Sequence, residues 1–233
     1  IGNNLLIYPW IKTLVKMSKS FVVNRGLTPK EMLKSSIHMS QYMHFAINEK
    51  NENIWIAQRE GRAKDSDDRT QDSVLKMLNM GGPTAGKTTA EIIENLRHLN
   101  IVPVAISYEY DPCDYLKAKE FQCKRDNPGW KKAKQDDLDN MKTGIWGKKG
   151  HVHYQAADCI NNWLDALDPT TIDKADLFRL VAEHIDHEIH KNYRIYDINR
   201  DALAGTTNAY IEERIQMVDV ENHDVPLLRE KLT

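Results

Sequence analysis

The sequence predicts an α/β fold, a mixed sheet flanked by helices, followed by a helical C-terminal extension. Three observations carry that expectation. β-rich runs alternate with stretches of helical spacing over the first two thirds of the chain, as in an α/β sandwich. The apolar run 101–107 has strand length and strand composition. After it the longest amphipathic stretch, 171–193, leads into a tail that is again helical in pattern. The division expected is an α/β domain over residues 1–165 and a helical extension over 166–233.

Each element has a local reason. Pro9 suits the first position of a helix that carries Trp10, Ile11, Leu14 and Val15, with Lys12 and Lys16 on the other side. Phe21-Val22-Val23-Asn24-Arg25 is a short strand candidate stopped by Gly26. Thr28-Pro29-Lys30-Glu31 is a capping box with proline at the first helical position, and it opens a helix expected to reach about Asn48. Asn53-Ile54-Trp55-Ile56-Ala57 is the second strand candidate. Val74, Leu75 and Leu78 space as a helix, and so do Ile92, Ile93, Leu96 and Leu99. Residues 112–150 are charged, helical in tendency and poor in branched apolar residues, an excursion outside the sheet. His151-Val152-His153-Tyr154-Gln155 reads as a further strand.

Composition narrows the function classes. The 233 residues are 41% hydrophobic and 28% charged, enough for a substantial core. With 32 basic against 34 acidic residues the formal charge is −2, which argues against a nucleic-acid binder. Cys113, Cys123 and Cys159 are an odd set without metal spacing and read as reduced thiols of a cytoplasmic protein. No apolar run approaches the ~18 residues of a spanning helix, and no signal peptide is present. The chain starts at Ile1 and ends at Lys231-Leu232-Thr233 without helix-stop chemistry, so it reads as a piece of something longer.

The second strand candidate delivers Arg59-Glu60-Gly61-Arg62-Ala63-Lys64-Asp65 at its carboxyl end, where ligands bind in α/β sheets. Arginine offers a planar fork to phosphate, lysine a point charge, and glycine a close backbone approach. Arg25 reaches the same crevice if the two strands are neighbours. The competing account is a solvated loop whose acidic and basic side chains pair with one another.

Ile56-Ala57-Gln58-Arg59-Glu60-Gly61-Arg62-Ala63-Lys64-Asp65 resembles the third sequence block of glycerol-3-phosphate and lysophosphatidate acyltransferases, commonly Pro-Glu-Gly-Thr-Arg-Ser-Arg. The 21–25 run resembles their second block, a strand ending in arginine. Ile101-Val102-Pro103-Val104-Ala105-Ile106 resembles the fourth, a strand holding proline. The three stand in the family's order over roughly residues 5 to 160, nearest a bacterial subgroup. The resemblance implies the acyltransferase-type mixed sheet and transfer of a fatty acyl group from acyl-CoA or acyl carrier protein. The acceptor would be the hydroxyl of glycerol-3-phosphate or lysophosphatidate, in phospholipid biosynthesis, with no further cofactor or metal. It assigns acceptor binding to Arg25, Glu60, Gly61, Arg62 and Lys64. The third block lacks the usual threonine, which leaves both Arg62 and Lys64 open as the family arginine. The family's general base, the histidine of a His-x-x-x-x-Asp block, is expected upstream of Ile1. There it would take the proton of the attacking alcohol while the phosphate handle holds the hydroxyl in line.

Three other patterns compete. Gly81-Gly82-Pro83-Thr84-Ala85-Gly86-Lys87-Thr88 satisfies G-x-x-x-x-G-K-[ST], the P-loop signature. A P-loop needs a buried strand before it, whereas 73–80 has helical spacing, so a glycine-rich turn between helices is expected. The helix and strand that follow, with Asp111 as a Mg²⁺ carboxylate, keep a P-loop NTPase or kinase as the alternative function. His153 and Asp158 match His-x-x-x-x-Asp by letter but fall after the fourth block. On the helix 171–193, His184 falls on the apolar stripe while His187 and His190 drift toward solvent, and His187-Glu188-Ile189-His190 is one residue short of H-E-x-x-H. Finally, Leu5-Leu6-Ile7-Tyr8-Pro9-Trp10-Ile11, followed by Lys12, Lys16 and Lys19, has the aromatic and basic character of a peripheral membrane contact, although packing on the sheet explains the same apolar residues.

Overall fold

The computed structural model describes residues 3, 6, 8–24, 26–58 and 67–217, the side chain of Lys134 excepted. Among them are ten α-helices and two β-strands, and helix makes up 56%. The chain divides into two compact units, each discontinuous in sequence. One comprises the described residues of Ile1–Arg59, Thr70–Ile101 and Cys159–Glu183; the other those of Glu60–Arg69, Val102–Asp158 and His184–Thr233.

The first unit is helical. Helix α1 (Pro9–Met17) starts with proline at its first turn and buries Ile11 and Val15, one turn apart on one face. Helix α2 (Pro29–Asn48) is opened by the expected box: the Glu31 amide donates to Thr28 Oγ1, and the Thr28 amide donates to the Glu31 carboxylate at 2.9 Å. Helices α3 (Asp72–Asn79) and α4 (Thr89–Arg97) pack in sequence beside it. The short α7 (Asn161–Asp165) is tied to α4 by Asn161, whose amide group donates to Arg97 O (3.2 Å) and Asn100 Oδ1 (2.9 Å). The opening half of α8 (Lys174–Asn192) completes the unit with Leu177, Phe178, Val181 and Ala182. Ile11, Leu75, Ile92, Leu96, Leu164 and Leu177 are almost wholly removed from water, and each contributes about 1.5–3 kcal/mol of hydrophobic stabilisation.

In the second unit β1 (Val104–Tyr108) pairs antiparallel with β2 (Val152–Ala156), Ile106 opposite Tyr154. The pairing runs past both strand ends through Glu109 N to His151 O and Ala157 N to Pro103 O, each 2.9 Å. Pro103, which has no N–H, sits where only its carbonyl is used. Between the strands the chain makes α5 (Asp114–Asp126) and α6 (Lys134–Trp146), the expected excursion. The remainder of α8, α9 (Asp197–Ala204) and α10 (Ala209–Met217) finish the unit. Ile198, Ala202 and Ile211 from α9 and α10 share a core with Ala118 of α5 and with Tyr196.

The expected mixed sheet is therefore reduced to this one antiparallel pair among the described residues. Among the described residues two strand candidates form no strand. In the 21–25 run Val23 makes a single bridge, its carbonyl accepting from the Asn3 amide at 3.0 Å. The 53–58 run is extended without a ladder, and Trp55 is 66% exposed. β-propensity expresses fit to neighbouring strands, and among the described residues neither run has a strand beside it.

Candidate functional site

The residues assigned to acceptor binding, Arg25, Glu60, Gly61, Arg62 and Lys64, lie outside the described residues. Their chain neighbours are placed. Lys19 Nζ is 2.9 Å from Glu52 Oε1, so the segment leading to 21–25 and the segment leading to 53–58 leave from adjacent points of the first unit. The hydrogen bond raises the ammonium's pKa and lowers the carboxyl's, but both groups face solvent and the pair adds little stability. The ring of Phe21 meets Tyr42 of α2 edge-on at 5.7 Å, which fixes the first segment against that helix. The far end of the second segment is closed by Gln71 N donating to Gln58 O at 3.0 Å.

The glycine-rich segment 81–88 joins α3 to α4, so a helix stands where a P-loop requires a strand. Most of its amides are already used. Gly81 N donates to Ser40 Oγ (2.9 Å), Gly82 N to Asn79 O (3.4 Å), Thr84 N to Asn95 Oδ1 (2.9 Å) and Gly86 N to Thr84 Oγ1 (3.3 Å). At the start of α4, where a phosphate would sit against a helix N-terminus, the Glu91 carboxylate accepts from Lys87 N (2.7 Å) and Thr88 N (3.0 Å). Those bonds, the one from Lys87 first, hold its pKa below the usual carboxylate value. The glycines serve packing. A Cβ at Gly81 would lie 2.3 Å from the backbone of Ser40 and Gln41. Gly86 takes a φ of +61° and abuts the Asn79 side chain. In this conformation six amides of the loop, those of Gly81, Gly82, Thr84, Gly86, Lys87 and Thr88, are already bonded within the chain.

Behind the loop lies a polar hub that apolar periodicity does not reveal. Asn95 is wholly buried. Its Nδ2 donates to Asn79 Oδ1 (2.9 Å) and Asn79 O (3.1 Å), while its Oδ1 accepts from Thr84 N and from Thr84 Oγ1 (2.8 Å). Ser40 Oγ donates to Leu78 O at 2.9 Å, and His44 Nε2 donates to the same carbonyl at 3.0 Å. That bond puts the proton on Nε2 and leaves the buried Nδ1 without a partner. Burial holds the His44 pKa below its ordinary value, so the ring stays neutral. Ser40 and His44 stand one helical turn apart in α2, a spacing that marks a polar stripe facing inward.

His153 and the histidines of α8 are structural or exposed. His153 lies in β2 and its Nε2 donates to Asn192 O at 3.0 Å; Asp158 lies beyond the strand end. His184 is half-buried, and burial lowers its pKa, whereas His187 and His190 face solvent. No group of three His, Cys, Asp or Glu side chains among the described residues has metal-binding geometry. A shallow open depression of about 290 Å³ is lined by Asn48, Glu94, Arg97, His98, Asn100 and Asn161. Its cation is taken, because Arg97 Nε lies 2.6 Å from Asp165 Oδ1. No described helix is long and apolar enough to cross a membrane.

Two carboxylates, Asp114 and Glu120, are buried in the charged stretch 112–150, where sequence pattern suggests only surface; Glu120 is paired with Lys124 and Lys132. Asp114 is fully buried at the start of α5, its Oδ2 accepting from Tyr210 OH at 2.7 Å and its Oδ1 from Tyr115 N at 2.6 Å.

No protein-family profile, no curated protein and no solved structure matches the chain.

Proposed function

We propose that this chain is the acceptor-binding portion of a glycerolipid O-acyltransferase, which moves a fatty acyl group from acyl-CoA or acyl carrier protein to the hydroxyl of glycerol-3-phosphate or lysophosphatidate. The observation that carries the proposal is the ordered set of three sequence blocks. The Lys19–Glu52 pair supports it, because the described runs 21–24 and 53–58 start side by side. The strand β1 that follows Pro103 agrees with the fourth block as well.

In this reading Arg25, Arg62 and Lys64 grip the acceptor phosphate, Gly61 lets the backbone approach it, and Glu60 orients the cations. The histidine ahead of Ile1 deprotonates the alcohol as it attacks the thioester carbonyl. The carbon–sulfur bond breaks, the acyl group forms an ester with the acceptor oxygen, and the thiol leaves with a proton. The finer fold, a mixed acyltransferase-type sheet, belongs to the same proposal. Contact with a bilayer surface on the cytoplasmic side fits helix α1, which exposes Trp10, Leu14 and Met17 along one stripe and carries Lys12 and Lys16 elsewhere on its surface.

The test is steady-state kinetics on the full-length protein with Arg25→Ala, Arg62→Ala and Lys64→Ala. Removing a charge-assisted phosphate bond of about 1.5–3 kcal/mol raises the acceptor KM about 10- to 100-fold and leaves the donor KM unchanged. Wild-type acceptor kinetics in all three variants would remove the proposed phosphate site.

A further inference from the structure

The segment after α8 turns back as α9 and α10 and lays Tyr210, Ile211 and Arg214 against α5. At the centre of that contact is Asp114, with no exposed surface. A carboxylate so placed needs strong compensation, since an isolated buried charge is costly. What it receives is limited. Tyr210 OH and Tyr115 N donate to it, but the nearest cation, Arg214 Nε, stands 3.5 Å from Oδ1 and makes no hydrogen bond. The guanidinium has other support. It lies over the rings of Tyr210 (4.8 Å) and Tyr115 (5.5 Å), and its Nη1 donates to Met217 Sδ at 3.1 Å. Tyr110 stacks on Tyr210 at 4.2 Å and closes the node from the other side.

We propose that α9–α10 is a clasp whose grip on α5 is set by the protonation of Asp114: the node holds the neutral acid better than the anion, so uptake of one proton tightens the clasp. Two features of the geometry make this work. Both tyrosine faces keep Arg214 stabilised when its acidic neighbour is neutral. The acid proton also has acceptors at hand, because the Tyr210 oxygen can exchange its role from donor to acceptor.

The other charged groups around the node are few. Asp111 precedes α5, disfavours the anion by like charge, and is itself paired with Lys117 of α5. Glu213 of α10 acts on Arg214. Consistent with this, burial pushes the Asp114 carboxyl up to about 6 despite the opposing pull of Arg214. The sign follows from linkage. A docked acid with a raised pKa binds its proton more tightly than the released acid, so docking is strongest at low pH, weakens as pH rises from 3.8 to about 6, and is flat above. Between about pH 7 and about pH 5 the docking constant rises about tenfold.

Amide hydrogen exchange on the full chain, corrected for intrinsic rates, tests the clasp. In the wild type the protection of α9 and α10 rises about tenfold from about pH 7 to about pH 5, while that of α4 in the other unit does not rise, since the buried neutral His44 makes that unit less stable as pH falls. Asp114→Asn, which mimics the neutral acid, gives high protection that no longer varies with pH. Tyr210→Phe removes a donor that favours the anion and moves the midpoint upward, and it reads the same equilibrium if the asparagine variant does not fold. Protection of α10 that is level with pH in the wild type overturns the proposal. So does an unchanged pH dependence in Asp114→Asn, or an unmoved midpoint in Tyr210→Phe.

Discussion

Replacing Asn95 with alanine removes the one side chain that joins α4, the end of α3 and the glycine-rich loop. Four groups lose a bond: the Thr84 amide (2.9 Å), Asn79 Oδ1 (2.9 Å), Asn79 O (3.1 Å) and Thr84 O (3.3 Å). Thr84 Oγ1 is the least affected, because it also donates to Glu91 O at 3.0 Å. Leaving a buried polar group unsatisfied costs about 1–3 kcal/mol, and two of these groups have no alternative, so the first unit loses about 3–5 kcal/mol. The assay is exchange protection of the α3 and α4 amides alongside urea denaturation. Asn95→Leu, close in volume, separates the cavity from the hydrogen bonds: it fills the space but still leaves the Thr84 amide unpaired, so it falls well below wild type. A loss under about 1 kcal/mol in the alanine variant, or wild-type stability in the leucine variant, would refute the idea that this hub organises the loop.

Two further outcomes follow from the same unit. Lys87→Ala changes stability by less than about 0.5 kcal/mol and leaves the proposed acyl transfer intact, since only the backbone amide of that exposed residue is given a bond; tight Mg-ATP binding lost in the variant would contradict this. Thr28→Ala breaks the capping box of α2 and lowers stability by about 1 kcal/mol in thermal denaturation, with Thr28→Ser restoring most of it.

Helix starts were the legible part of the chain. Pro9 and the Thr28-Pro29-Lys30-Glu31 box announce α1 and α2 through interactions local to a few residues. The runs around β1 and β2 were legible too, because apolar strand composition and a real partner coincide there. The same composition misled at 21–25 and 53–58, where a ladder needs a second strand that nothing in those residues supplies. Buried polar residues were the least visible. Asn95, Ser40 and Asp114 carry letters that periodicity assigns to the surface, and only their partners, up to 96 positions away in the case of Tyr210, explain their burial. The candidate acceptor residues rest on motif order, since their positions fall outside the described coordinates.

Glu91 gives the glycine-rich loop a resident guest. Tethered a single turn from the amides it occupies, that carboxylate competes at an effective concentration of about millimolar or higher. A dissolved phosphate must evict it to reach either of those amides. Signature matching would count 81–88 among nucleotide sites, yet here the chain serves as its own inhibitor, and the letters that spell a phosphate cradle instead describe a hinge pin between two helices.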